Sequence, residues 1–302
     1  MAYSPFALCV VVVVVCVLLS IMIATAYERA GYGYTLRSQV WKTCHPNVHY
    51  GWLLGVRVVA FLYCLAILIY DIVLWGPFIF EYYTQWSFTI LIIYFGVAIG
   101  ASIKEIHRHQ QLDQSNVLSQ NKQLLSGYPR RDEEEGSGGE VSTVAPYFDH
   151  SETADWDGRF LQILYQIVLG ATFVTDVVYW TCIFPSYSFV DVVTMSMHAV
   201  NIVLLLADVA LNSLLFFWFR GAYFFLYTSV FIFFAWIIHA LGEEQWPYSF
   251  LDVSDNLAPL WYFLLCIVHF VAYFLVWLVM YWKTAYLRRY EHTPTQNTPT
   301  LA

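Results

Sequence analysis

Seven apolar runs of membrane-spanning length constrain this chain more than any other feature of its sequence. An α-helix needs about 20 apolar residues to cross the hydrocarbon core of a bilayer. Because that core contains no water, the backbone of each span must satisfy its own hydrogen bonds, which favours helices. The sequence therefore predicts an all-α, polytopic membrane bundle of seven transmembrane helices. The predicted spans are residues 6–26, 52–75, 86–103, 160–183, 191–218, 222–241 and 258–282.

The composition agrees with a membrane protein and argues against several other classes. Hydrophobic residues make up 59% of the chain and charged residues only 12%, whereas soluble domains average about 25% charged residues. The net charge is −8, but many acidic residues crowd into one loop, and the 14 Lys and Arg form no basic patch that would bind nucleic acid. The six cysteines show neither a zinc-ligand spacing nor a disulfide framework. No metal or other cofactor is therefore predicted.

The positions of the basic residues predict the orientation of the spans. With seven helices, all 14 Lys and Arg fall on one side of the membrane, and the connections at residues 76–85, 184–190 and 242–257 contain none. By the positive-inside rule, the basic side is cytosolic. We therefore expect the N-terminus outside and the C-terminus in the cytosol. The first span is expected to be retained, because no Lys or Arg precedes it as in a signal peptide. The predicted location is the plasma membrane or the endoplasmic reticulum.

The chain divides into helical blocks and two polar segments. Residues 1–51 contain an N-terminal anchor helix and a juxtamembrane segment, and residues 52–103 contain the second and third spans. Residues 104–157 are predicted to be a disordered, acidic cytosolic loop, because their polar composition cannot bury enough apolar surface. The segment IKEIHRHQQLDQ at the start of that loop could instead extend the third helix. Residues 158–283 contain the fourth to seventh spans, and residues 284–302 form a disordered cytosolic tail.

The span that begins at Asp191 carries a seam of polar residues. Side chains at alternating steps of four and three share one helix face, and a costly polar group within a span usually turns toward protein. The seam is therefore predicted to face the interior of the bundle. Two interpretations stay open: hydrogen bonds that only hold the helices together, or part of an active site. The residues at this spacing are Thr194, His198, Asn201, Leu205, Asp208 and Asn212.

Further polar residues concentrate toward the side that lacks basic residues, where they are expected to line one pocket. Thr84 lies at the start of the third span, and its hydroxyl could either cap the helix or act as a nucleophile. A Thr hydroxyl needs a neighbouring base to take its proton, and His is the usual base. His198 lies at a compatible depth on another helix. The other polar residues predicted on this side include Asp71, Gln85, Asp176, Asp191, His239, Glu243 and His269.

Three blocks of sequence resemble one family of multipass membrane proteins. They are YYTQWSFTILIIYFG, VVTMSMHAVNIVLLLADVAL and WIIHALGEEQWPYSFLD, in that order along the chain. Together they resemble the androgen-induced-gene / rolling-stone family. The earlier segment WLLGVRVVAFLY and the YTQW part of the first block look most similar to its rolling-stone-like branch, which includes plant members. The resemblance runs from about residue 52 to about residue 282. The long acidic loop and the N-terminal span depart from the pattern of the androgen-induced branch.

The resemblance implies an activity and two catalytic residues. Members of the androgen-induced branch are threonine hydrolases of lipid esters, notably fatty acid esters of hydroxy fatty acids. Their nucleophile is the Thr of the first block and their base is the His of the second block. These positions correspond here to Thr84 and His198. Rolling-stone members are instead associated with cell fusion, so the substrate is left open.

Three functions are compatible with the sequence. The preferred one is an integral membrane hydrolase of acyl-ester lipids, in which Thr84 attacks the ester and His198 takes the proton. The oxyanion would need a hydrogen-bond donor, for which Gln85, Asn201 and backbone N–H groups are candidates. The alternatives are a non-enzymatic scaffold or receptor for cell-surface interaction or fusion, and a small-solute or proton-coupled transporter. The acids that could orient the imidazole are Asp176, Asp191 and Glu243.

Overall fold

The computed structural model describes residues 4–126, 153–184, 190–243 and 245–291. Throughout these residues the regular structure is helical, without a strand. Seven helices are long and apolar enough to cross a membrane. This finding confirms the predicted all-α seven-helix bundle and supports a multi-pass integral membrane protein. The orientation across the bilayer stays a prediction.

The described chain forms nine α-helices, two of which combine into one span. They are α1 (Pro5–Arg29), α2 (Arg37–Trp41), α3 (Tyr50–Trp75), α4 (Tyr83–Ser126), α5 (Trp156–Val178), α6 (Val192–Met195), α7 (Asn201–Leu211), α8 (Gly221–Ala240) and α9 (Ala258–Glu291). A π-helical turn at Tyr179–Ile183 prolongs α5, and a second one at Ser196–Val200 joins α6 to α7. Such turns are rare and frequently lie at functional sites.

Charged side chains from several helices meet at one end of the bundle, which we call the basic end. Arg37 on α2 forms ion pairs with Glu105 at 3.1 Å and with Asp155 at 2.7 Å. Lys104 on α4 also contacts Asp155, at 2.9 Å. These contacts connect α2, α4 and the start of α5. The side predicted to be cytosolic thus corresponds to one physical end of the molecule.

The first helix packs along α8 and α9 rather than standing apart from the bundle. Cys9 and Val13 are buried in a cluster with Phe231 of α8 and Tyr262 of α9. Near the basic end, Arg220 donates a hydrogen bond to a carboxylate of α1 at 3.0 Å. One face of the predicted N-terminal span is therefore part of the hydrophobic core.

The polar seam faces the bundle interior, as predicted, and its half nearer the basic end is a buried ion cluster. Arg57 Nε donates to Asp208 Oδ1 at 2.8 Å, and both side chains are fully buried. The other carboxylate oxygen accepts from Tyr94 at 2.5 Å and from Asn212 at 2.7 Å. Because both oxygens of this carboxylate are bonded, this half of the seam holds helices together. The other buried residues of the seam are His198, Asn201 and Leu205.

Three helix ends differ from the predicted bounds. α7 ends at Leu211 rather than at residue 218, because Asn212 adopts an extended backbone with ψ 159° and bonds back to the helix. α4 continues to Ser126, so the start of the loop predicted to be disordered is helical. α9 continues to Glu291, into the predicted tail. The rest of the predicted loop and tail that lies outside the described residues is 127–152 and 292–302.

Candidate functional site

A mostly apolar cavity lies in the half of the bundle opposite the basic end, and we call it the Thr84 cavity. Its volume is about 80 Å³. Helices α1, α4, α5, α8 and α9 and the loop 242–257 all contribute to its wall. A cavity of this size holds several water molecules or part of an apolar ligand. Its lining residues include Thr84, Tyr248, His269, Cys16 and Cys266, together with the hydroxyl residues Thr175, Thr228 and Ser229.

The first turn of α4 presents the Thr84 hydroxyl beside a tyrosine. A 3-10 turn at Pro77–Glu81 leads into α4, and the Tyr83 N–H donates to the Tyr248 hydroxyl at 3.0 Å. The same hydroxyl interacts with the Thr84 side chain, while burial raises the pKa of Tyr248 to about 12. Tyr248 is therefore a neutral phenol at physiological pH. Because its oxygen accepts from Tyr83, its own proton is available to Thr84 or to a ligand.

His269 on α9 lines the cavity and has one ring nitrogen without a hydrogen-bond partner among the described residues. Its Nδ1 lies 2.7 Å from the carbonyl oxygen of Leu265. A carbonyl can only accept, so Nδ1 carries the proton in the neutral ring, and Nε2 carries the lone pair. Nε2 is buried and has no hydrogen-bond partner among the described residues. The ring stacks on Phe224, with centroids 5.1 Å apart. His269 therefore has the tautomer and the fixed position that a general base needs.

His198 lies in a separate polar cluster, the His198 cluster, where the two π-helical turns meet. Its ring stacks on Tyr179, with centroids 3.7 Å apart and planes inclined by 8°. His198 Nδ1 lies 3.8 Å from Asp176 Oδ1, and Asn201 donates to the same oxygen at 2.9 Å. Of the three acids predicted to orient the imidazole of His198, Asp176 is therefore the one that lies beside it.

Helix α5 separates the Thr84 cavity from the His198 cluster. Thr175 and Val178 line the cavity, whereas Asp176 and the adjoining Tyr179 contact the His198 ring. Successive residues of a helix point in directions roughly 100° apart, so neighbours serve different faces. His198 is absent from the described residues that line the Thr84 cavity. Among the described residues, Thr84 and His198 therefore line different sites, and no contact between the two side chains is among the described ones.

The two amides predicted as oxyanion donors belong to the His198 cluster. Gln85 Nε2 donates to an Asp71 carboxylate oxygen at 3.2 Å and lies 3.9 Å from Met197 Sδ. Asn201 donates to the Met197 carbonyl in addition to its bond with the acid. In the Thr84 cavity the polar group beside Thr84 is instead the Tyr248 hydroxyl. The only feature of the sequence that points to Tyr248 is its place in the third block, directly after Pro247.

The remaining predicted site residues have local contacts. Asp191 caps α6 by accepting a backbone N–H at 2.7 Å. Glu243 accepts a backbone N–H of its own loop at 3.5 Å. His239 stacks on Trp246, with ring centroids 4.0 Å apart. Within the described ranges, no group of three or more His, Cys, Asp or Glu is placed to hold a metal ion.

Comparison with known proteins adds no relative. No family model, curated protein sequence or solved structure matches this chain. The androgen-induced-gene / rolling-stone resemblance therefore stays a prediction that depends on the three sequence blocks.

Proposed function

We propose that this protein is an integral membrane hydrolase of lipid esters, with Thr84 as its nucleophile. One observation carries the proposal: Thr84, His269 and Tyr248 line the same mostly apolar cavity. A nucleophile, a base and an oxyanion donor are the groups that acyl transfer requires. The resemblance to threonine hydrolases supports the choice of nucleophile.

In the proposed reaction an acyl-enzyme forms on Thr84. The Thr84 oxygen attacks the ester carbonyl carbon while its proton passes to His269 Nε2. The Tyr248 hydroxyl donates to the oxyanion. Collapse of the tetrahedral intermediate breaks the bond to the alcohol, which leaves with the proton from His269. Water then attacks the acyl-threonine with His269 again as base, which releases the fatty acid and restores Thr84.

The geometry favours His269 over His198 as the base. His269 lines the Thr84 cavity, and the Leu265 carbonyl fixes its tautomer. His198 instead approaches Asp176 on the far side of α5. The resemblance instead implies that His198 is the base. Replacing each histidine by alanine therefore distinguishes the two assignments.

The surroundings of the cavity favour a long-chain lipid as substrate. A groove of about 520 Å³ runs between α1, α8 and α9. Cys16 and Phe225 line both this groove and the Thr84 cavity, so the two spaces adjoin. Groove residues such as Phe270 and Trp218 are exposed on the apolar surface of the bundle. An acyl chain in the groove could therefore reach the cavity with its ester without leaving the hydrocarbon region.

A second candidate function, proton-coupled transport, is favoured by the His198 cluster. Gln85 Oε1, Asp176 Oδ2 and His198 Nδ1 are buried without hydrogen-bond partners among the described residues. Ionisable groups inside a span are costly and often form proton relays. In that function Asp176 and His198 bind the proton, and Thr84 is dispensable.

Full-length protein in lipid nanodiscs tests both candidates with long-chain esters and a fluorophosphonate probe. We expect Thr84→Ala to abolish ester hydrolysis and probe labelling, and Thr84→Ser to retain both. His269→Ala should lower hydrolysis about 10²–10⁴-fold. Thr89→Ala is the matched control on α4, because the Thr89 hydroxyl has no partner among the described residues.

Labelling that survives in Thr84→Ala would contradict the proposed nucleophile. A loss of hydrolysis in His198→Ala with full activity in His269→Ala would make His198 the base. Suppose the wild-type protein hydrolyses no ester but takes up a solute together with protons, and Asp176→Asn abolishes that uptake. This result would favour the transporter over the hydrolase.

A further inference from the structure

Two cysteines from the first and last helices touch in the wall of the Thr84 cavity. Cys16 Sγ on α1 lies 3.4 Å from Cys266 Sγ on α9, and both are half-buried. A disulfide has an S–S length of about 2.05 Å, so the two sulfurs are short of a bond by about 1.3 Å. Small rotations of the two side chains close a gap of that size.

The contact is specific to this pair of thiols. Cys9 and Cys64 are fully buried in apolar clusters. Cys44 donates its thiol hydrogen to the Ala210 carbonyl, and Cys182 is exposed near the end of α5. Of the six cysteines, Cys16 and Cys266 are the two whose sulfurs are recorded in contact with each other. An oxidant that reaches both would therefore join them in preference to the others.

The surroundings of the pair determine which oxidant reaches it. Cys16 also lines the groove between α1, α8 and α9, whose wall is mostly apolar. Cys266 precedes His269 by three residues on α9, so both lie on one helix face, and both line the cavity. The unprotonated Nε2 of His269 can take a thiol proton, which a bilayer interior otherwise disfavours. The oxidant that fits an apolar route is a hydroperoxide carried on an acyl chain.

We propose that Cys16 and Cys266 form a reversible disulfide when the protein meets lipid hydroperoxides. The Cys266 thiol gives its proton to His269, and the thiolate attacks the terminal oxygen of the hydroperoxide. The O–O bond breaks, the lipid leaves as an alcohol with the proton from His269, and Cys266 is a sulfenic acid. Cys16 then attacks that sulfur, water leaves, and the disulfide forms. Two thiols and one hydroperoxide yield one disulfide, one alcohol and one water.

The disulfide ties α1 to α9 at the junction of the groove and the Thr84 cavity. Positions 16 and 266 are 250 residues apart in sequence, so the bond joins the first helix of the bundle to the last. Once bonded, the two sulfurs hold α1 and α9 in a fixed position beside Phe225, where the groove and the cavity adjoin. We expect a lower rate of acyl-ester hydrolysis in the oxidised protein, a consequence that rests on the proposed function.

The test uses reduced full-length protein in phosphatidylcholine nanodiscs, exposed to linoleic acid hydroperoxide or to the corresponding alcohol. Free thiols are then alkylated, and the digested protein is analysed by mass spectrometry. We expect hydroperoxide, but not the alcohol, to remove two free thiols per chain and to produce a linked Cys16–Cys266 peptide that dithiothreitol releases. Cys16→Ser and Cys266→Ser should lose the linked peptide. Cys9→Ser, the matched control on α1, should keep it.

A linked peptide that is absent, or that pairs other cysteines as often, would overturn the proposal. Oxidation by hydrogen peroxide without oxidation by the lipid hydroperoxide would overturn the assignment of the oxidant. The linked peptide is measured without any hydrolysis assay, and it should also form in Thr84→Ala. Failure of the proposed hydrolase and failure of the disulfide are therefore seen separately.

Discussion

Arg57 on α3 and Asp208 on α7 form an ion pair of 2.8 Å in which both side chains are fully buried. The Arg57 Nη1 group also donates to the Val40 carbonyl and to the Ser102 hydroxyl. One guanidinium therefore joins α3 to α4, to α7 and to the end of α2. Moving two charges out of water costs several kcal/mol per ion, which close pairing and further hydrogen bonds offset.

Removing one partner of this pair should destabilise the bundle strongly. Asp208→Ala leaves the Arg57 charge buried and unpaired, so we expect a loss of about 3–5 kcal/mol in unfolding free energy. Thermal or denaturant unfolding in detergent measures it. The control is Lys104→Ala, which breaks two partly exposed ion pairs and should cost only about 1 kcal/mol. Equal losses in the two variants would contradict the assigned role of Arg57.

The Tyr248 hydroxyl should contribute to ester hydrolysis by stabilising the oxyanion. Tyr248→Phe removes the donor beside Thr84 but keeps the ring, so we expect hydrolysis to fall about 10²–10³-fold. Unfolding temperature should change little by comparison. Tyr82→Phe is the matched control, because Tyr82 contacts Tyr248 edge-on and is exposed. Unchanged hydrolysis in Tyr248→Phe would remove Tyr248 from the mechanism.

The sequence predicts the helices and the inward seam because both depend on local properties. Hydropathy over about 20 residues defines a span, and the spacing of side chains defines a helix face. Asp208 and Asn212 are buried for that reason. The burial of Arg57 was harder to predict, because a basic residue near the start of a span can equally lie in the polar segment that flanks the span. Its burial depends on the partner that α7 supplies.

The sequence does not predict that Thr84 and His198 line different sites. Depth along the helices predicts only that both lie in the same half of the bundle. Which face of α5 each site meets depends on helix rotation and on the π-helical turns at Tyr179–Ile183 and Ser196–Val200, which change the direction of the side chains after them. Tyr248 enters its site only through the return of the loop 242–257 to α4. The rotation of α5 and the return of this loop both depend on contacts between distant parts of the chain, so the spacing of residues does not predict them.

The ion pair at the start of α5 should make stability depend on pH. The hydrogen bond from Arg37, followed by that from Lys104, holds the pKa of Asp155 well below its usual value of 3.8. A depressed folded-state pKa adds stability that is complete above the unfolded value and is lost as pH falls below it. We expect wild type to exceed Asp155→Asn in unfolding temperature at pH 7 and to lose that advantage below about pH 4.

Asp113→Asn is the control for this pH dependence. Asp113 is 65% exposed and pairs only with a histidine one turn away among the described contacts. Its replacement should change the unfolding temperature little at any pH, since exposed pairs contribute little. A difference between wild type and Asp155→Asn that stays constant from pH 7 to pH 3 would show that Asp155 acts through packing rather than charge.

The position of the His269 ring should depend on a glycine two helices away. A Cβ at Gly170 on α5 would lie 2.7 Å from Phe224, and Phe224 stacks on His269. Gly170→Ala must therefore displace Phe224, at a cost of about 1–3 kcal/mol for overpacking, and it should lower hydrolysis by moving the base away from Thr84. Gly100→Ala is the matched control, because a Cβ there meets nothing within 4 Å, and alanine favours the helix by about 0.5–1 kcal/mol. If Gly170→Ala lowers stability but leaves hydrolysis and its pH profile unchanged, while His198→Ala abolishes hydrolysis, the base is His198 and not His269.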